Sequence, residues 1–463
     1  MEHNQLRPNG EFDLIGVGLG PANMSLAALL SGVSDINVRF FDGKTSPEWH
    51  TGILFGHAEM QTSFLEDLVT PVDPTNKLSF LSFLSDTGRI YSFLCRNTTT
   101  ISRLEFQSYL KWAASKLDCA SFGENVREIN FSEGSFQIHT AKGLYRSKSI
   151  SIGVGKALHL PKWAHGNISK SCFHSSGFLQ AGLSFEGKRV AVVGGGQSAV
   201  DVMLALLGQE YGLPSEIHWV TRRGNLLGMD QSPFVNEFFT PQYVRHFFNH
   251  AGGRRVQLLS EQKLFGDGVT MESLEALYRE VYLKSFVEEP GTSIAIYPDC
   301  EVTDLSRFGS GHQLRFINQA TRAHSDVHAD IVVLCTGYRH FIPEFLQPLK
   351  SRISFASTNR YRLTDTYRVV WDGPEDNAIY AQNAGIQSHG VVDSQLCLIS
   401  WRSAVISNDL LKHRKYCVTP PQGFMRWDGN AGPPLSGEAL FPSLAGAERE
   451  PPKSPVLYLS RGQ

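Results

Sequence analysis

Two stretches of this chain have the residue types and spacing to hold a dinucleotide pyrophosphate. The first, FDLIGVGLGPANMSLAALL, passes from a short apolar segment through Gly16, Gly18 and Gly20 into a run with helical apolar spacing, and Pro21 stands where a third glycine is usual. Glycine is needed because the backbone must turn sharply and come close to the phosphates, while the unpaired N–H groups at the helix start hold the anion. The second, GKRVAVVGGGQSAVDVMLALL, sets Gly194, Gly196 and Ala199 at GxGxxA spacing behind a valine-rich segment. The strand after the first turn ends in Asp42, a carboxylate suited to ribose hydroxyls; the strand after the second ends in Arg222 and Arg223, suited to an extra 2′-phosphate. FAD is therefore expected on Gly16, Gly18, Gly20, Pro21, Asn23 and Asp42, and NADPH on Gly194, Gly196, Gln197, Ser198 and Arg222.

A third stretch, MQTSFLEDL, places Glu66 and Asp67 side by side in apolar company, where a carboxylate seeks a cation. The chain shows no nucleophilic triad or metal-ligand spacing, and its seven cysteines include no CxxC pair, which argues against a zinc site and a redox dithiol.

The elements that must position these groups imply an α/β fold with two Rossmann-like domains. At 463 residues, 41% hydrophobic, the chain exceeds one ordinary domain. The expected division gives an FAD-binding domain over 1–165 and 336–412, and an NADPH-binding domain over 166–228 and 290–335. A helical substrate-binding insertion fills 229–289, where MESLEALYREVYLKSF has helical spacing, and a Pro/Gly/Ser-rich, loosely ordered tail fills 413–463. Gly153 and Gly155 mark the outward crossing between domains; Thr336, Gly337 and Tyr338 mark the return. Lys plus Arg (43) nearly cancels Asp plus Glu (45), so nothing points to nucleic acid or an anionic membrane. The polar N-terminus and the absence of any run near the ~18 apolar residues of a membrane span lead to the expectation of a cytoplasmic protein with a small-molecule partner.

The strings GVGLGPAN, EWHTGILF, MQTSFLEDLVTPVDPTN, SRLEFQSYLKWAA, GGGQSAVD, DQSPFVNEFFTP, LCTGY and HGVVDSQLCLISWRSAVI, in this order over about residues 12–408, resemble the N-hydroxylating flavin monooxygenases that act on ornithine, lysine or aliphatic diamines. The resemblance implies that NADPH reduces FAD, O2 adds to give a C4a-hydroperoxyflavin, and a neutral primary amine takes up the oxygen, yielding a hydroxylamine destined for hydroxamate siderophores and iron acquisition. No catalytic side chain is then required. It also implies cofactor roles for Trp49, His50, Gln61 and Val126 and for the backbone of Ser394, Gln395 and Leu396, near His389, Gly390 and Asp393. No acid/base role is assigned to His389. Substrate roles fall to Glu66, Asn236 and Cys397, and the likeness suggests a homo-oligomer, tetramer or dimer.

In the ornithine and lysine enzymes of the family a lysine stands at the position of Glu66 and pairs with the substrate's α-carboxylate. Reversing that charge sets two anions ~4 Å apart, a repulsion of about 4 kcal/mol at an effective dielectric of ~20. A short diamine such as putrescine or cadaverine is the expected substrate. Cys397 replaces a serine of the ornithine enzymes, which thins the polar frame for an amino acid further; Lys77, eleven residues after Glu66, is a candidate replacement cation. The alternatives are an L-ornithine or L-lysine hydroxylase, another amine such as histamine, and, from a different class, a non-oxygenating NADPH-flavin reductase or sensor. His174 and Ser175, in HSSGF, partly match the signature of Baeyer-Villiger and flavin-containing monooxygenases, but Lys170 stands where that signature has glycine.

Overall fold

The computed structural model describes residues 10–289, 292–419 and 424–429. Residues to 419 form one unit; of the unit beginning at 420, the described part is a short turn closed by Gly429 N–H donating to the Arg426 carbonyl. The expectation of a loose tail falls largely outside the described residues, as does the polar N-terminus. No helix among the described residues is long and apolar enough to cross a membrane.

The first sheet grows from the apolar strand β1 (Glu11–Val17). With β2 (Val38–Asp42), β3 (Ala120–Phe122), β4 (Val126–Ser132), β5 (Ser135–Thr140) and β6 (Leu144–Ile152) it has the order β3-β2-β1-β6-β5-β4. The strands β3, β2, β1 and β6 run parallel, while β5 and β4 form an antiparallel flap. The C-terminal half of β6 also pairs in parallel with Ile379–Ala381, so three strand ends, at Val17, Ile152 and Ala381, open on one crevice. Ligands of open α/β sheets lie at such a place.

The second sheet is wholly parallel: β7 (Cys172–His174), β8 (Arg189–Val193), β9 (Glu216–Val220), β10 (Ser293–Tyr297) and β11 (Ile331–Leu334), in the order β10-β9-β8-β11-β7. Val190, Val192 and Val193 are buried in β8, as expected for a strand covered on both faces. Between β10 and β11 the chain forms a three-stranded antiparallel sheet over Cys300–Phe308, Gly311–Asn318 and His324–Ala329, an element the sequence reading did not include. Helices do fill the insertion, and its longest, Met271–Phe286, packs on Gln197–Leu207 of the second nucleotide unit.

Helix starts differ in how their first N–H groups are met. Arg103–Ser115 and Met271–Phe286 begin on Ser102 and Thr270, whose hydroxyls accept backbone N–H bonds as ordinary N-caps. The helices Pro21–Leu30 and Gln197–Leu207 begin on Gly20 and Gly196 with no side-chain cap, so their first N–H groups are left for something else.

Asn23, fully buried, pins the first turn. Its amide nitrogen donates to the Gly18 carbonyl at 2.7 Å, and its oxygen accepts from Ser151 Oγ at 2.8 Å and Gln382 Nε2 at 2.7 Å. The two halves also meet backbone to backbone: a Cβ on Gly52 would lie 1.6 Å from the Ser176 carbonyl oxygen, and Ile53, Phe55 and Ala58 pack into the core of the second half. Replacing Asn23 with Leu keeps the branching but takes away the Gly18 carbonyl's donor and leaves Ser151 and Gln382 only the 3.4 Å bond between them. The expected loss is about 3 kcal/mol or more by chemical denaturation; an unchanged midpoint would show that the turn stands without this pin.

Candidate active site

A cavity of about 1590 Å3 lies against the carboxyl ends of both parallel sheets. It is lined by Gly18, Gly20, Pro21, Asp42, Trp49, His50, Gln61 and Val126 from the first half, by Gly194, Gly196, Gln197, Ser198 and Arg222 from the second, and by Ser394, Gln395 and Leu396. Gly16 and Asn23 are outside the lining. Gly16 is a packing glycine, because a Cβ there would lie 2.0 Å from the Phe40 ring. Asn23 holds the turn from behind.

The cradle fits an anion. Gly18 has φ +82° and a Cβ on it would lie 2.7 Å from the Gly153 carbonyl oxygen, so the turn admits no side chain; Gly20 faces open space. Asp42 accepts Leu19 N–H at 2.7 Å and Lys44 N–H at 2.8 Å, which fixes its carboxylate beside the glycine turn. In the second unit Gly194 (φ +136°) would place a Cβ 2.1 Å from the Cys335 carbonyl oxygen, whereas Gly196 meets only Arg223 Nη2 at 3.9 Å. Arg223 also lines the cavity: Nη2 donates to the Asp267 carbonyl at 2.8 Å, and the buried Nη1 has no partner among the described residues. Arg222 is more exposed and only 3.9 Å from Glu301. The unpaired guanidinium nitrogen beside the second turn is the group that a 2′-phosphate would satisfy.

The acidic pair separates into two roles. Asp67 is buried and accepts from the N–H groups of Val69, Thr70 and Phe80 and from Thr70 Oγ1, so it is consumed in folding its own loop. Glu66 accepts one bond, from Ser63 N–H at 2.9 Å, and burial raises its pKa. Among the described residues it has no salt-bridge partner, and Lys77 is exposed. Burial pushes the Cys397 thiol up, and the negative charge of Glu66 adds to that, so these two residues share one neighbourhood. Neither lines the cavity, although Leu396 and Ile399 on either side of Cys397 do. Asn236 is exposed and donates to the Gln231 carbonyl at 3.2 Å; it is Phe239, three residues on, that packs on the cluster containing Cys397.

The loop around His389 is structural. Burial pushes His389 down to about 4, so it stays neutral, stacked on Tyr367 with ring centroids 4.0 Å apart. Asp393 is ion-paired with Arg402 at 2.8 Å and accepts Gly385 N–H at 2.6 Å. His174 bonds the Gly337 carbonyl at 3.0 Å and holds the return crossing; Ser176, not His174 or Ser175, reaches the cavity. Trp49 donates its backbone N–H to Gln107 and packs edge-on against Phe106 at 5.2 Å. Sequence reasoning missed Lys156, a half-buried lining residue whose Nζ donates to Ser394 Oγ at 3.0 Å, and the lining residues Gly266 and Asp267 of the insertion. A cation directly after the crossing glycines was the available signal for Lys156.

Two uncapped helix starts on two parallel sheets, sharing one cavity, define a flavoprotein that brings FAD and a nicotinamide dinucleotide together. Residues 10–340 match the family described as L-lysine 6-monooxygenase/L-ornithine 5-monooxygenase. The L-lysine N6-monooxygenase of Escherichia coli is 37% identical over 90% of this chain and 98% of its own length. Among solved structures, the FAD-bound cadaverine monooxygenase of the desferrioxamine pathway from Erwinia amylovora superposes with a TM-score of 0.84 at 25% identity, covering 92% of this chain and 100% of that one. The ornithine N-hydroxylase of Kutzneria sp. 744, with reduced FAD, NADP+ and L-ornithine, gives 0.80 at 27% identity over 87% and 99%. The chain belongs to this family of FAD- and NADPH-dependent N-hydroxylating monooxygenases of siderophore biosynthesis.

Arg223→Gln is expected to raise KM for NADPH about tenfold or more and to leave that for NADH nearly unchanged, as for loss of one charge-assisted phosphate contact. Steady-state oxidation of the two nucleotides checks this; an equal effect from Arg222→Gln alone would move the role to its neighbour.

Proposed function

We propose that this enzyme N-hydroxylates a short aliphatic diamine, and that Glu66 binds the ammonium at the far end of the substrate. The observation that carries the reading is Glu66 itself: a partly buried carboxylate with one backbone hydrogen bond, a raised pKa and no cation beside it among the described residues. An ammonium would supply the missing charge as a charge-assisted hydrogen bond. An α-carboxylate in the same place would add a second anion to a site already short of solvation.

Bound FAD supplies reduction by NADPH and activation of O2. The chain's residues do the rest by holding and excluding. The uncapped starts at Gly20 and Gly196 and the Arg223 guanidinium anchor the two dinucleotides; Gln61, Gln197 and Gln395 close the space between them. Gln395 Nε2 donates to the Gly266 carbonyl at 3.2 Å, joining the insertion to the Ser394–Leu396 loop and so helping to keep water from the reacting centre. Neither Glu66 nor His389 lines the cavity, and neither is given a proton-transfer role. That amine must arrive neutral while the far one stays charged.

A second reading follows from the 37% identity to a lysine enzyme: L-lysine could turn its α-ammonium toward Glu66. Hydroxylamine yield separates the two. Putrescine or cadaverine is expected to couple NADPH oxidation to product, with L-ornithine and L-lysine poorly coupled; a higher coupled kcat/KM for either amino acid sinks the diamine reading. Glu66→Gln is expected to raise KM for the diamine by about ten- to a hundredfold with kcat little changed. For the parent enzyme the sign with pH is set by the raised pKa of Glu66. Diamine affinity at this contact is complete above that pKa and weakens as pH falls through it, and the glutamine variant should lose this limb of the KM profile.

A further inference from the structure

Asp201 is 1% exposed, at the start of the second turn of the helix Gln197–Leu207, and does not line the cavity. Its Oδ2 accepts from Arg103 Nη1 at 2.9 Å, an ion pair between this helix and Arg103–Ser115 of the first half. Its Oδ1 accepts from Gln197 Nε2 at 2.8 Å. Gln197 Nε2 also donates to Ser273 Oγ at 3.0 Å, and Gln197 Oε1 accepts the backbone N–H of Thr270 at 3.0 Å. A carboxylate can only accept and a backbone N–H can only donate, so the orientation of the Gln197 amide is fixed by chemistry from both ends. The remaining lone pair of Gln197 Oε1 faces Gln61 Nε2 at 3.4 Å. Every hydrogen-bonding site of Gln197 is thereby used by protein. Gln61 is turned so that its own carbonyl oxygen, which has no protein partner among the described residues, is the end left for the cavity it lines.

We propose that Asp201 is a positioning residue that fixes, through Gln197, which end of the Gln61 amide faces the cofactor. The proposal rests on Gln61 lying against the flavin ring. It is independent of which amine is hydroxylated. A carbonyl oxygen presented to the ring favours the reduced flavin, whose ring nitrogen bears a hydrogen that the oxidised ring lacks, and a hydrogen bond there tunes the flavin's electronics. Asparagine at 201 cannot serve both partners: Arg103 and Gln197 Nε2 each demand an acceptor, and Asn has one acceptor end and one donor end. If Gln197 turns to suit it, its N–H groups meet the Thr270 N–H.

The test uses the full-length, FAD-loaded enzyme and reads the midpoint potential of the bound flavin in Asp201→Asn, Gln61→Leu and the double variant. Each single variant should shift the potential negative and slow flavin reduction by NADPH by up to about tenfold. Asp201→Asn should add nothing in the Gln61→Leu background, since groups acting through one contact are not additive. An unchanged potential in Asp201→Asn, or shifts that add in the double variant, overturns the proposal. An unchanged flavin potential and spectrum in Gln61→Leu would instead show that Gln61 is not at the ring, which overturns the proposal at its base. Should Asp201→Asn fail to retain FAD, Gln197→Leu cuts the same relay with the Arg103–Asp201 pair intact and carries the same two outcomes.

Discussion

The architecture depends on two helices that begin without a side-chain cap. At Gly20 and Gly196 no side chain takes the first backbone N–H groups, which in Arg103–Ser115 and Met271–Phe286 go to Ser102 and Thr270, and both glycines line the cavity. That choice dictates much around it. A turn with no Cβ must be supported by something other than its own side chains, and Asn23 does this for the first turn by tying Gly18 to β6 and to the residue after Ile379–Ala381. In the second unit the support is closer still, since the Cys335 carbonyl at the end of β11 fills the space a side chain at 194 would need.

Charge in the site follows the same division between groups that are spent and groups that are free. Asp393, Asp201 and Asp67 are all buried acids with their oxygens committed, to Arg402, to Arg103 and Gln197, and to a loop of N–H groups. Isolated buried carboxylates are costly, and these three are not isolated. Glu66 and the Nη1 of Arg223 differ from them: each is drawn out of water without a full set of partners. The free groups are of opposite sign, and under the proposed function they take opposite tasks, one toward a cation and one toward a phosphate.

Much of this was legible in the sequence because it lies in short contiguous strings. Glycine spacing, the strand before it and the acid or arginine after the next strand specify each nucleotide unit, and the helical insertion was readable from apolar periodicity. The residues that act across the fold were not. Gly16 and Asn23 sit inside the first motif, yet packing against Phe40 and bonding to Gln382 can be seen only once distant strands are brought together. Arg222 and Arg223 are neighbours of one type, and only burial tells them apart. The three-stranded sheet over 300–329 was passed over because its alternation is broken by a register shift between Val302 and Asp304. Lys156 and Asp201 carry no motif of their own: the first is defined by reaching Ser394, the second by standing between Arg103 and Gln197.

The meeting of Gly52 with the Ser176 carbonyl bears on how the molecule moves. A hinge requires slack, and a contact in which even one methyl group would not fit has none. With Ile53, Phe55 and Ala58 sunk in the opposite half and Arg103 clasping Asp201 nearby, swinging one sheet away from the other would first have to part main chain from main chain. The two halves are in this arrangement seamed rather than jointed.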